Sequence, residues 1–295
     1  MNASVQTAVA VGAGRSRLVR EAARVSDTGS QRGERLAGRV LRGGAACWLG
    51  VAMLGQLLFA VYVAGFYGRA AMQGRPELWN RVLPHGYAAG DTLLNFVLGL
   101  HLLFAAAITI GGVLQLIPPL RRRAPAFHRW NGRAYLLLAA ATSAAGLVMV
   151  WTRGTVGDLS QHIAISLNGL LILLFAGIAW RHARAHRLDL HRRWALRLFL
   201  AVSGVWFFRV GLMFWLVANQ GPVGFDPKTF TGPFLTFLAF AQFMLPLVVL
   251  EFYFRAQQRC EPRGKLVMAA ALSVLTLIMG VGIAGAVAMM WLPHL

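Results

Sequence analysis

Seven continuous apolar runs divide the chain, at about residues 45–66, 93–117, 132–151, 160–180, 194–218, 233–254 and 266–291. Each is close to or above the ~20 residues that cross a hydrocarbon core of ~30 Å at 1.5 Å per residue. The runs are unbroken rather than alternating, which predicts helices and excludes a strand barrel. The chain therefore reads as all-α, a polytopic membrane bundle of seven transmembrane helices. Its punctuation agrees. Pro118-Pro119 ends the second run and Pro125 can open the third. Asp91 and Asp158 are expected to cap the second and fourth helices by accepting from free N–H groups. Trp48, Trp79, Trp130, Trp151, Trp180, Trp194 and Trp291 fall near the inferred interfaces, where an amphipathic indole sits well.

Charge then orients the bundle. Among 295 residues, 57% are hydrophobic and 13% charged, against about a quarter charged in soluble domains. A net charge of +19 would point to nucleic acid in a soluble protein. Here the basic residues partition between loops instead. Residues 1–43, 118–133, 181–193 and 255–265, with Arg197, hold 23 of the 29 Lys and Arg, and the alternate loops hold five. That asymmetry predicts a membrane protein with its N-terminus inside and its C-terminus outside. The lipid bilayer is the expected partner and nucleic acid is not. Residues 1–43 carry eight Arg among Ala, Gly and Ser, with no sustained apolar stretch leading to a cleavage site. They read as a mostly disordered, basic cytoplasmic tail. Residues 44–292 then form the membrane domain, with its core in 93–218. Cys47 and Cys260 make neither a disulfide framework nor a metal-ligand spacing.

Two phrases repeat. HRWNGR (128–133) and HRRWALR (191–197) each open with His-Arg, continue to Trp and close on Arg, just ahead of or within the entry to an apolar run. Topology accounts for the arginines and interfacial anchoring for the tryptophans, but neither accounts for the histidines. His101 lies in the second run, 27 residues before His128, and His162 lies in the fourth, 29 residues before His191. Counted from the cytoplasmic ends, His101 is ~24 Å up its helix and His162 ~27 Å. Counted from the outer caps the two heights differ by ~9 Å. Two imidazoles from neighbouring helices are what a b-type haem needs on its opposite faces. One site would use His101 and His162 and the other His128 and His191, placing two haems in series across the bilayer. Each histidine also has a plainer use: a helix contact for His101, an interfacial residue for His162, lipid phosphate or a cap for His128 and His191. His85, His182, His186 and His294 read as solvated loop or terminal residues. A cytoplasmic metal cluster of His182, His186 and His191 lacks an acidic or thiolate companion.

Arg209 is the remaining signal, about fifteen residues into the fifth run. A charge at that depth normally has a partner, a wet cavity or a route to snorkel to the interface. The expected partners are an outer acid (Asp91, Asp158 or Asp226), a haem propionate, a quinone oxygen or a lipid phosphate.

The run from His101 through Gln115, the triplet Arg121–Arg123, the phrase H128-R-W-N-G-R-A-Y135, then H191-R-R-W-A-L-R197 and Arg209 resembles the bacterial predicted-membrane-protein family known as domain of unknown function 2306. The resemblance covers roughly 48–255, and HRWNGRAY is its most specific part. Ala195 stands where that family usually has Met. The resemblance implies a multi-spanning inner-membrane protein and brings no established reaction. The four-histidine layout is also similar to that of transmembrane di-haem cytochromes b. It implies haem b held by His101, His162, His128 and His191. Arg129, Arg133, Arg192 and Arg197 would then take the inner propionates and Arg209 the outer ones, with a quinone or redox partner. The alternative is a non-redox protein: a transporter, lipid-binding protein or assembly factor that uses Arg209 and the basic interface for anionic groups. No nucleophile motif, phosphate loop or zinc signature supports a soluble enzyme.

Overall fold

The computed structural model describes residues 3–83, 86–152, 154, 157–259 and 261–295, with side chains from Gln31 onward except that of Arg259. His85, read above as a solvated loop or terminal residue, and Cys260 lie outside the described residues. In chain order the helices are α1 Ala3–Val63, α2 Arg69–Met72, α3 Thr92–Leu116, α4 Pro118–Arg123, α5 Pro125–Thr152, α6 Leu159–Arg184, α7 Leu188–Val202, α8 Gly204–Asn219, α9 Pro233–Arg259 and α10 Pro262–Ala286. One π-helical turn, Ala64–Gly68, links α1 to α2, and another, Val287–Trp291, follows α10. Strand-like pairing among the described residues is limited to an isolated bridge, Asp226 with Thr231.

Six stretches are long and apolar enough to cross a bilayer: Gln31–Met72, Thr92–Leu116, Pro125–Thr152, Leu159–Arg184, Pro233–Gln258 and Pro262–His294. The chain is a polytopic helical membrane protein. The basic segment before residue 44 lies within α1 from Ala3 onward. One feature differs from the sequence-based expectation. The fifth predicted span is not one rod: α7 and α8 meet at a bend of 53°, and count as a seventh span when taken together.

The bend has a local cause. Ser203 donates its hydroxyl to the Phe199 carbonyl one turn back at 2.7 Å, a back-bond that loosens the helical ladder. Gly204 follows, and Gly/Ser pairs are a recurrent site of sharp kinks. Nothing larger than glycine fits here, because a methyl group on Gly204 would stand 2.8 Å from Asn168 Nδ2.

The chain divides into two compact units. One comprises Met1–Trp48 and Phe252–Val274, the other Leu49–Glu251 and Leu275–Leu295. In the first, Lys265 Nζ donates to Glu34 Oε1 at 3.1 Å, and Gly44 lies against the Ala269 backbone. In the second, α3 packs on α5, α5 on α6 and α6 on α7. Ile108, Tyr135, Ala139, Ile172, Phe175, Ala176, Leu198 and Ala201 form a shared core among those helices. Close approach of α3 to α5 depends on Gly112, where a methyl group would stand 3.0 Å from the Tyr135 ring.

Both predicted caps are present. Asp91 accepts from the Leu94 N–H at 3.1 Å, and Asp158 accepts from the Ser160 and Gln161 N–H groups at 3.0 and 3.2 Å. The Ser160 hydroxyl also donates to Asp158. That bond first, and the two N–H groups after it, hold the Asp158 carboxyl below its ordinary value. A carboxylate depressed on folding stabilises above its unfolded pKa, and the contribution is lost as pH falls through the folded value. Asp158→Ala is therefore expected to cost about 1 kcal/mol at neutral pH. Thermal unfolding in detergent should show the gap from wild type closing in strong acid.

Candidate functional site

The two repeated phrases occupy equivalent places and do equivalent work. In the first, Asn131 on α5 donates to the Gly111 carbonyl of α3 at 2.9 Å. Gln115 on α3 returns a bond to the His128 carbonyl, also at 2.9 Å. In the second, His191 Nδ1 on α7 lies 3.0 Å from the Ala179 carbonyl of α6. Each phrase thus ties its helix to the one before it. The shared W-x-x-R spacing sets a guanidinium over an indole in both copies: Arg133 over Trp130 at 5.0 Å and Arg197 over Trp194 at 4.6 Å. Arg197 is further held by Glu251 of α9, with Nε 2.8 Å from Oε1. Arg129, Arg133 and Arg192 are exposed.

His128 and His191 lie within electrostatic reach of one another, with Arg121 and Arg129 also near His128. A His191 ring that donates Nδ1–H to Ala179 keeps Nε2 for another partner, the arrangement usual in metal-binding histidines. The other two histidines are not brought together around one cavity. His101 lines the cavity described next, whereas the neighbouring His162 does not. The His162 ring instead stands edge-on to Trp151, with centroids 6.3 Å apart.

That cavity holds about 670 Å³ within the larger unit, inside the range of small-molecule sites. Its walls come from α1, α3, α5, α6, α7, α8 and α9, with loop residues Leu83, Lys228 and Phe230 at one end. Apolar side chains such as Leu98, Ile165, Ile172 and Leu212 supply much of the lining. Polar groups interrupt it. Tyr135 Oη, Thr142 Oγ1, Asn168 Oδ1 and Trp206 Nε1 are buried without a hydrogen-bond partner, and all four side chains line the cavity. The His101 ring stands beside the Thr142 backbone and Gly146, yet its Nδ1 also finds no partner at hydrogen-bonding geometry.

Arg209 lines the same cavity. It donates to the Val205 carbonyl of its own helix at 3.2 Å and lies 5.4 Å from the Phe59 ring centroid. Tyr62 and Tyr67 are within its electrostatic influence. The outer acids expected as its partners are engaged elsewhere: Asp91 and Asp158 cap α3 and α6, and Asp226 accepts from the Lys228 N–H at 2.8 Å. Among the described residues no carboxylate lines the cavity, and its two permanent charges, Arg209 and Lys228, are both positive.

A family model described as "Predicted membrane protein (DUF2306)" matches residues 98–245. The chain belongs to that family. No curated protein and no solved structure matches it. The segment matched in DUF2306 runs from α3 into α9 and contains both repeated phrases, the four histidines, Arg209 and the bend at Ser203. The walls that α1 contributes, Gln56, Phe59 and Tyr62 among them, lie outside it.

The sequence reading followed ionisable residues and passed over neutral ones. Gln56, Asn168, Ser203 and Gln242 each sit inside a predicted span, are buried, and line the cavity. Polar residues inside apolar runs are costly unless satisfied, and that was the signal that could have found them. For the repeated phrase, Asn131→Ala should destabilise the larger unit by about 0.5–1.5 kcal/mol, since one hydrogen bond between α5 and α3 is lost. Thermal unfolding of the purified variant checks this, and the loss should not depend on any added ligand.

Proposed function

We propose that this multi-pass membrane protein holds an amphipathic small molecule in the α3–α9 cavity, apolar along its body and anionic or hydrogen-bonding at its polar groups. The observation that carries the reading is a space of about 670 Å³ lined by four side chains whose buried polar atoms have no partner, with Arg209 and Lys228 as its only permanent charges among the described residues. Each such atom costs about 1–3 kcal/mol when left unpaired. A ligand that meets several of them while filling the apolar remainder removes that cost. Arg209, without a carboxylate of its own among the described residues, matches a carboxylate, phosphate or carbonyl oxygen. The distribution of Lys and Arg supports a cytoplasmic-membrane location with the N-terminus inside.

Haem b is a second reading, favoured by one specific observation: His128 and His191 lie within electrostatic reach of one another, and the His191 Nδ1 contact to Ala179 leaves Nε2 for iron. Bound there, a haem would supply one-electron transfer, with Arg121 and Arg129 beside His128 as the cations for its propionates. The outer site fits less well. His101 could offer one imidazole to the cavity, but His162 is not part of the lining and packs on Trp151.

One preparation separates the two readings. Protein extracted with its surrounding lipid and examined by native mass spectrometry should carry a small non-covalent adduct that Arg209→Gln weakens. Its reduced-minus-oxidised spectrum should lack b-type bands if the ligand is colourless. Bands lost in His128→Ala and His191→Ala would establish the redox reading instead. Neither adduct nor pigment would sink both.

A further inference from the structure

Four of the neutral polar side chains that line the cavity converge on the break between α7 and α8. Gln56 comes from α1, Asn168 from α6, Ser203 from the break itself and Gln242 from α9, and none is more than 7% exposed. They are fixed in a definite sense. The Gln56 amide donates Nε2 to Ser203 Oγ at 2.8 Å. Ser203 spends its own proton on the Phe199 carbonyl, so towards Gln56 its oxygen can only accept. Asn168 donates Nδ2 to the Ala201 carbonyl at 3.1 Å. Gln242 donates Nε2 to the Ala239 carbonyl at 2.8 Å. A backbone carbonyl is an acceptor only, so it decides which way each amide faces.

All three amides have one N–H tied to the protein, which fixes their orientation, and each keeps its carbonyl oxygen and a second N–H. Asn168 Oδ1 is buried and unpartnered. A methyl group on Gly204 would stand 2.8 Å from Asn168 Nδ2 and 3.7 Å from Gln242 Oε1, so these two amides flank the break together. The unpartnered Asn168 carbonyl calls for a hydrogen-bond donor, and a group that can also accept suits the second N–H groups beside it. Two classes of donor are available, a cation or a neutral hydroxyl, and charge decides between them. The charged side chains lining the cavity, Arg209 and Lys228, are positive, and Arg209 is five residues beyond Gly204, or ~7.5 Å along α8. Like charge at that separation in an apolar slab disfavours a cation.

We infer that the break between α7 and α8 is a subsite for a neutral hydroxyl group of the cavity ligand, read by the carbonyl ends of Asn168, Gln242 and Gln56. The inference rests on the cavity reading above and adds to it. The ligand then has a hydroxyl at the break and an anionic or carbonyl oxygen towards Arg209. Discontinuous helices at mid-bilayer are tolerated where they line such a space, which gives the bend a use beyond packing.

A matched pair of probes tests this on the full chain in phosphatidylcholine nanodiscs: 8-hydroxyoctanoate and 8-methoxyoctanoate, titrated calorimetrically. The hydroxyl compound should bind about tenfold more tightly, because the methoxy compound leaves a buried acceptor unpaired. Asn168→Leu should abolish the preference. Gln242→Met, which gives up only a bond within its own helix, should reduce it without endangering the α6–α7 contact. Arg209→Gln should weaken both probes and leave their ratio unchanged. Equal affinity of the two probes for the wild type overturns the subsite while the cavity reading stands. Binding of neither overturns both.

Discussion

A polar group inside a hydrocarbon slab has no water to fall back on, and the larger unit is arranged around one such problem. The helix that runs from Leu188 to Asn219 breaks at Ser203–Gly204 in the middle of its span, releasing backbone groups that a straight helix would pair. Asn168 answers by donating to the Ala201 carbonyl, and Ser203 by back-bonding to Phe199. Each answer brings a further polar atom into the interior. Gln56 is recruited to satisfy Ser203, and the amide side chains gathered at the break line the cavity. Polar residues on α1, α6 and α9 thus follow from one local kink, and the space they enclose follows from keeping those chains apart.

At the other end of the helices the constraint is mechanical. The two H-R-(x)-W-x-x-R phrases stand where basic loops turn back into the membrane, and each fastens its helix to its predecessor through a carbonyl near that helix's end. The guanidinium–indole stack repeats because W-x-x-R brings residues three apart onto one helical face. Arg197 adds Glu251 of α9 to the second copy.

Fold class was legible because span length and continuity leave few options in a bilayer, and the α3 and α6 caps followed from two aspartates ahead of apolar runs. The break was legible too, in the pair Ser203-Gly204, but an apolar run of normal length masked it. The site was harder. Arg209 announced itself by its charge, and His101 by its place in the span, and both line the cavity. His162 matched by spacing and depth alone, and spacing along a helix leaves open which side a ring faces. Its ring packs on Trp151. The carboxamides of Gln56, Asn168 and Gln242 escaped notice because a neutral residue in a span carries no sign of its partner. Only three-dimensional contact shows which N–H of each is tied to the protein and that the Asn168 oxygen is left without a partner.

The account stands on the cavity being a ligand site rather than a packing fault. A cryo-electron-microscopy map of the full chain in nanodiscs made directly from its native membrane measures that most directly. The account predicts ordered non-protein density between the Ser203–Gly204 break and Arg209, within hydrogen-bonding distance of Asn168 Oδ1. A space closed by inward movement of α3 and α8, with Arg209 turned out to the lipid headgroups, would contradict it.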